Sequence, residues 1–327
     1  MGKRMICVLL VCSLGPLALN LERSFAQEAY PTKPITMLVP FPPGGLSDTT
    51  ARSYAGAVQK ITGQPLVVVN KPGAGGTIAV DALQAAKPDG YTLLESSAST
   101  LAHGMFTQGV SWGPKDFTVI LGHSLYNFAF VVRADAPWKN FDEWVQYVRQ
   151  NPPFKYGCYG NLVTMHIVME WIGKRLGLKL VPVHFKGDAE GTQNVLGGHI
   201  MGHCYAGGQD ALIKAGKMKT LIQVTGEPCD ADPKSVAKLK EVLPDAPVDI
   251  IALPRGIFGP KGMPETLQAK VADVFRKATV ENPEFIRTHQ LMKMEVKYFG
   301  PKDLETAIQK AHSGFGELIK SLGLERK

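Results

Sequence analysis

Ile35-Thr36-Met37-Leu38-Val39-Pro40-Phe41-Pro42-Pro43-Gly44-Gly45-Leu46-Ser47-Asp48 is the stretch on which the fold turns. It reads as a short buried strand, a tight Pro/Gly turn and the start of a helix. Ser47 and Asp48 are N-cap residue types, and Ala51, Ala55, Val58 and Ile61 follow at helical spacing until Gly63 ends the run. Such a turn leaves backbone N–H groups without acceptors at a helix N-terminus, which carries roughly half a positive charge and suits an anion. Asp48 is expected as the cap rather than a ligand group, because a carboxylate repels an anion. A plainer reading, in which the glycines only shape a strand-to-helix turn, stays open at this point.

The pattern then repeats. Pro65 to Val69 is a second strand, followed by the glycine-rich turn Pro72-Gly73-Ala74-Gly75-Gly76-Thr77 and a helix through Ala86. Tyr91 to Leu94 is a third strand ending in Glu95-Ser96-Ser97. Two strand–loop–helix units in succession predict a parallel sheet with both loops at one edge, where open α/β sheets bind ligands. Ser96 and Ser97 stand at that edge and join the binding candidates.

The chain has 327 residues, 45% of them hydrophobic, enough for one or two full cores. Lys3 and Arg4 precede an apolar run from Met5 to Leu19, and Ser24-Phe25-Ala26 supplies small residues for cleavage after Ala26. Residues 1–26 are therefore predicted to be a secretory signal peptide, and the mature protein to be periplasmic. Removing Lys3, Arg4 and Arg23 with Glu22 lowers the formal charge from +7 to +5. The remaining excess is scattered, which excludes the basic clusters of nucleic-acid binding. Cys7 and Cys12 leave with the signal; Cys158, Cys204 and Cys229 permit at most one disulfide, so there is no disulfide framework.

A second block begins near Val131. Its predicted alternation includes a helix over 140–149, a strand at 154–157, a helix from Leu162 to Lys174, and strands at 180–185, 199–205 and 218–224. The tail from Pro264 reads as mainly helical and is expected to pack back on the first block. The expectation is an α/β protein of two parallel-rich sheets: lobe 1 at 27–130 plus 255–327, lobe 2 at 131–254. Two chain crossings, near 127–133 and 250–258, form a hinge that closes around a ligand.

Tyr30-Pro31-Thr32-Lys33-Pro34-Ile35, Val39 to Gly45 with Asp48, Ala51 and Arg52, Pro72 to Gly76, and Pro88-Asp89-Gly90-Tyr91-Thr92-Leu93-Leu94 form one series with Phe185-Lys186-Gly187, Leu196-Gly197-Gly198 and Gly259-Pro260-Lys261-Gly262. Together they closely resemble the substrate-binding proteins of tripartite tricarboxylate transporters, the Bug family, along essentially the whole mature chain. The resemblance implies a two-lobed, type II-like periplasmic binding fold (a Venus flytrap) that takes a small carboxylate without a cofactor. It implies delivery to membrane transporter subunits by a monomeric receptor. Loops Phe41–Asp48 and Pro72–Thr77 are then expected to grip one carboxylate, with the turn after the second lobe's first strand opposite them.

This chain departs from that family in the second lobe. A small polar run is replaced by Cys158-Tyr159-Gly160-Asn161-Leu162-Val163, followed by Thr164, and Tyr205 stands where many relatives have Asp. The loss of hydroxyls and a carboxylate implies a ligand whose far end is apolar or aromatic, neither polyhydroxylated nor amino-bearing. Alternatively, Leu162 and Val163 face the core and Tyr159 the surface.

Competing chemistries fare worse. Ser96, Ser97 and Ser99 lie near His103, yet there is no G-x-S-x-G elbow, so a periplasmic hydrolase is disfavoured. Neither glycine loop matches a nucleotide-binding pattern. His199 and His203 would lie about 13 Å apart on a strand, too far to share a metal. A ligand sensor presenting its closed form to a signalling receptor remains the alternative to transport.

Overall fold

The computed structural model describes residues 30–207, 210–228, 230 and 232–325, so the expected signal peptide lies outside the described residues. The first lobe opens with β1 (Ile35–Val39), α1 (Leu46–Thr62), β2 (Leu66–Asn70), a 3-10 turn at Ala74–Gly76, α2 (Thr77–Gln84), β3 (Thr92–Ser97), α3 (Ala98–Gln108) and β4 (Phe117–Leu125). The second lobe runs β5 (Ala129–Arg133), α4 (Phe141–Gln150), β6 (Phe154–Cys158), α5 (Thr164–Leu176), β7 (Leu180–His184), α6 (Asp188–Leu196), β8 (Gly202–Tyr205), α7 (Asp210–Lys214) and β9 (Met218–Gln223). The chain returns through α8 (Leu239–Val242) and α9 (Val248–Ile251). It ends with β10 (Pro254–Pro260), α10 (Glu265–Val280), α11 (Pro283–Leu291), β11 (Val296–Phe299) and α12 (Pro301–Leu322).

The strands form two mixed sheets, ordered β11-β4-β10-β3-β1-β2 and β7-β6-β8-β5-β9. β1 pairs in parallel with β2 and β3, as the repeated units predict, and is buried on both faces like other central parallel strands. The sheets are less parallel than expected, because both crossings deliver antiparallel strands. β10 enters the middle of the first sheet, antiparallel to β3 and β4, while β5 runs antiparallel to β8 and β9. The tail also carries β11, a four-residue, half-exposed strand too short for its sequence to announce. β5 already belongs to the second sheet at Ala129, so the outward crossing falls at 126–128, just ahead of the expected boundary. On the return, α9 already packs on the first lobe: a Cβ on Gly314 of α12 would lie 2.8 Å from Ile250 Cγ2.

β1, α1, α10 and α11 close one core of the first lobe around Tyr54, Phe275 and Phe285. A larger apolar cluster runs through the crossing residues Tyr126 and Phe128 into the aromatic heart of the second lobe, Phe130, Trp144, Phe154 and Tyr156. No described helix is long and apolar enough to cross a membrane.

Candidate functional site

The first glycine loop works as its residue types suggest, with a change of roles. Gly45, not Ser47 or Asp48, is the N-cap of α1, in extended conformation and without a side-chain cap. Asp48 lies in the first turn, and its Oδ2 accepts from Gly44 N and Arg52 Nε, both at 2.9 Å. Burial opposes its ionisation, but those two donors outweigh it and hold the carboxyl below its usual range. Asp48 thereby locks the turn, where Gly44 takes a positive φ of 79° that suits glycine. The N–H groups of Leu46, Ser47 and Asp48 have no acceptor within the helix.

That helix end faces a cavity between the lobes. Phe41, Pro42, Pro43, Gly45, Leu46 and Ser47 line one side. Tyr126 enters from the outward crossing, and Tyr159, Gly187, Asp188, Ala189 and Ala206 close the other side. The space open to the centres of water-sized molecules is ≈ 50 Å³, several times what one water needs. A Cβ on Gly187 would fall 3.5 Å from Pro42 Cδ, so the two walls meet at van der Waals distance beside it.

Beneath the floor lies an ion pair. Arg255 in β10 and Glu95 in β3 are both fully buried; Arg255 Nε donates to Glu95 Oε1 at 3.0 Å, and Nη2 donates to the same oxygen. Nη2 also donates to Ser47 Oγ at 3.0 Å, and the guanidinium carbon lies 5.1 Å from the centre of the Tyr126 ring. His123 Nε2 lies 3.4 Å from the Glu95 carboxylate. Burial opposes charge on both partners, yet the Arg255 charge wins at Glu95 and holds its carboxyl below the usual range. With Ser47 Oγ accepting from Arg255, its hydroxyl proton is free to point into the cavity. The α1 end of the cavity thus offers the Ser47 hydroxyl beside the first-turn N–H groups.

The other sequence candidates divide. The second glycine loop does not line the cavity. Phe41 screens it, lying with Tyr159 edge-to-face at 6.2 Å and within 3.8 Å of a Cβ placed on Gly76. Of Gly73, Ala74, Gly75, Gly76 and Thr77, Gly75 instead meets the turn 159–164: Gln108 Nε2 donates to Asn161 O at 3.1 Å, and that carbonyl lies 3.3 Å from a Cβ placed on Gly75. Gly76 packs by Pro40, and Thr77 Oγ1 donates to Ala74 O within the loop. Gly160 and Leu162 take positive φ in this turn, and His166 Nδ1 accepts from Leu162 N at 2.8 Å. Val163 is buried in the core, and Thr164 Oγ1 lies 3.3 Å from His103 Nε2 across the lobes. These residues form the contact between the lobes. Ser96 is fully buried, Ser97 caps α3 by accepting from Ser99 N, and neither reaches the cavity.

Tyr205, 1% exposed, packs with Ala129, Val131 and Val195 in a core of the second lobe and does not line the cavity. Contrary to the expected loss of a carboxylate from the second lobe, Asp188 brings one to the cavity from the N-terminus of α6. Burial raises Asp188, an effect His203 offsets in part. Tyr126, Asp188 and Arg255 are the functional candidates that sequence reading missed. Cys158 and Cys204 are free, buried thiols, and no group of three or more His, Cys, Asp or Glu residues able to hold a metal occurs among the described residues.

Comparison with known proteins gives this arrangement a family. Residues 50–324 match the model of the tripartite tricarboxylate transporter family receptor. A UPF0065 protein of the gbd 5′ region in Cupriavidus necator is 31% identical over 302 residues, covering 91% of this chain and 90% of that protein. The periplasmic binding protein BugD superposes with a TM-score of 0.81 at 25% identity, over 91% of this chain and all of BugD. MatC of Rhodopseudomonas palustris, solved with bound malate, shares the fold at a TM-score of 0.77 and 23% identity, over 89% of this chain and 100% of MatC. The chain belongs to the tripartite tricarboxylate transporter receptor family of two-lobed solute-binding proteins.

Proposed function

We propose that the chain is an exported, non-catalytic receptor that captures a small organic carboxylate in the periplasm and hands it to a tripartite tricarboxylate-type membrane transporter. The observation that carries this is the donor-lined end of α1, with Ser47 held by buried Arg255, facing the cavity between the lobes. A carboxylate there accepts charge-assisted bonds worth about 1.5–3 kcal/mol each. A few of them, with burial of a small body, reach micromolar affinity, about 8 kcal/mol. Phe41, Leu46, Tyr126, Tyr159 and Ala206 supply walls for a partly apolar or aromatic body.

The test is calorimetric titration of residues 27–327 with aliphatic and aromatic mono-, di- and tricarboxylates, each beside its uncharged amide. Binding of an acid but not its amide, weakened about tenfold by Ser47→Ala, supports the reading. Equal binding of acid and amide, or no binding across the panel, overturns it.

A further inference from the structure

The cavity wall opposite α1 is not neutral. Asp188 lines it from the second lobe, as Ser47 does from the first. Asp188 Oδ1 lies 3.2 Å from Nε2 of His203, a fully buried residue. The His203 ring fills room that two glycines leave: a Cβ on Gly191 would fall 2.2 Å from its Cε1, and one on Gly157 2.7 Å from its Nδ1. Gly157 is the cross-strand partner of His203, and Gly191 belongs to α6. A ring clamped between a helix and a neighbouring strand cannot swing, so it holds the one carboxylate oxygen and leaves the other for the cavity. The Asp188 side chain keeps 15% of its surface exposed. Its charge also reaches the phenols on either side: after burial it is the next cause raising Tyr159, and it acts more weakly on Tyr126.

We infer that Asp188, positioned by His203, selects acids that carry a hydrogen-bond donor away from their carboxylate, so that the preferred ligands are small hydroxy- or amino-carboxylates and not plain dicarboxylates. The inference rests on carboxylate capture at α1. An ionised carboxylate only accepts hydrogen bonds, whereas the α1 end only donates them. A ligand bridging the two walls therefore presents an acceptor to one and a donor to the other. A second ligand carboxylate against Asp188 sets like charges together between largely apolar walls, and an apolar end leaves the Asp188 oxygen unpaired.

The experiment titrates the wild-type protein and Asp188→Ala with butyrate, 3- and 4-hydroxybutyrate, 4-aminobutyrate, succinate, benzoate and 3-hydroxybenzoate. In the wild type, at least one donor-bearing acid is expected to bind about tenfold or more tightly than its parent and than succinate. In Asp188→Ala that margin falls below about threefold, chiefly through loss of the donor-bearing acid. Butyrate, benzoate or succinate binding as tightly as every donor-bearing acid overturns the inference and leaves carboxylate capture standing, as does a margin that survives Asp188→Ala. Failure of all the acids overturns capture and the inference with it. If Asp188→Ala does not fold, the wild-type ranking alone decides.

Discussion

Glu95→Ala is the most informative single perturbation of this molecule. It leaves the Arg255 guanidinium fully buried without its carboxylate, beside the Ser47 hydroxyl and the Tyr126 ring, neither of which carries a compensating charge. Breaking a buried ion pair from one side costs about 3–5 kcal/mol, because the remaining charge keeps its desolvation penalty and loses its compensation. For about 300 ordered residues, an unfolding entropy near 2.1 cal/mol/K per residue converts that loss into a drop in Tm of about 5–8 °C. The double variant Glu95→Leu/Arg255→Met removes both charges and is expected to recover most of the loss. Differential scanning calorimetry of wild type, Glu95→Ala, the single variants Glu95→Leu and Arg255→Met, and the double variant, at pH 7.5 without ligand, closes the cycle. A Glu95→Ala transition within about 1 °C of wild type, or a double variant less stable than either single one, refutes the claim that both partners are ionised in the folded state.

Other consequences follow from burial and close packing. Burial holds His103 down to about 4, and burial with the nearby His123 holds His289 down to about 3. Their folded values lie below the unfolded value near 6.5, so the unfolded chain binds more protons. Stability is then full above about pH 6.5 and falls as pH drops, by up to about 1.4 kcal/mol per pH unit for each histidine, until the folded values are reached. A Tm flat between pH 7.5 and 5 contradicts this, and His103→Leu should lessen the slope. Gly256→Ala places a Cβ 2.6 Å from the Leu121 carbonyl oxygen, which backbone pairing holds in place. A loss of at least about 2 kcal/mol in urea unfolding is expected, and an unchanged midpoint would show that β10 can shift. Cys158 and Cys204 are fully buried, and burial pushes the Cys204 thiol far above its usual value. Peptide mapping after exposure to a thiol reagent should find both unlabelled in the native protein and labelled in urea.

Much of the first lobe was legible because its signals are local. The run from Ile35 to Gly45 encodes strand, turn and helix start within one short span, and its repetition at Pro65 to Thr77 announces a parallel pairing that the register Ile35↔Leu66 realises. What stayed hidden depends on partners far along the chain. Arg255 meets Glu95 across 160 positions, and in isolation Pro254-Arg255-Gly256 looks like a surface turn. Asp188 reads as an ordinary first-turn helix acid, and only the fold sets it against α1. Tyr205 stands on the same strand face as His203, and only the fold shows that Ala129, Val131 and Val195 bury it away from the cavity. The second glycine loop was placed at the right sheet edge, but no local pattern reveals that Phe41 and Tyr159 stand between it and the cavity.

The placement of Tyr126 and Arg255 links the cavity to the hinge. Tyr126 directly follows β4 on the outward crossing, and Arg255 directly follows the return crossing in β10. The guanidinium packs on the Tyr126 ring, which in turn stacks on Phe128 at 4.4 Å with an 11° interplanar angle. Both connections between the lobes are therefore tied to one buried cation, and the same cation holds Ser47 at the ligand-facing end of α1. If opening the lobes turns the backbone at residues 126–128, it moves the Tyr126 ring off Arg255 and weakens the grip on Ser47. An anion bound at Ser47 favours the geometry in which ring, guanidinium and hydroxyl are all engaged. Tyr126→Leu separates this coupling from simple wall-building. It should weaken carboxylate binding and also enlarge the ligand-free protein's radius of gyration by small-angle scattering. A loss of affinity with an unchanged scattering profile would leave Tyr126 as a wall of the cavity and nothing more.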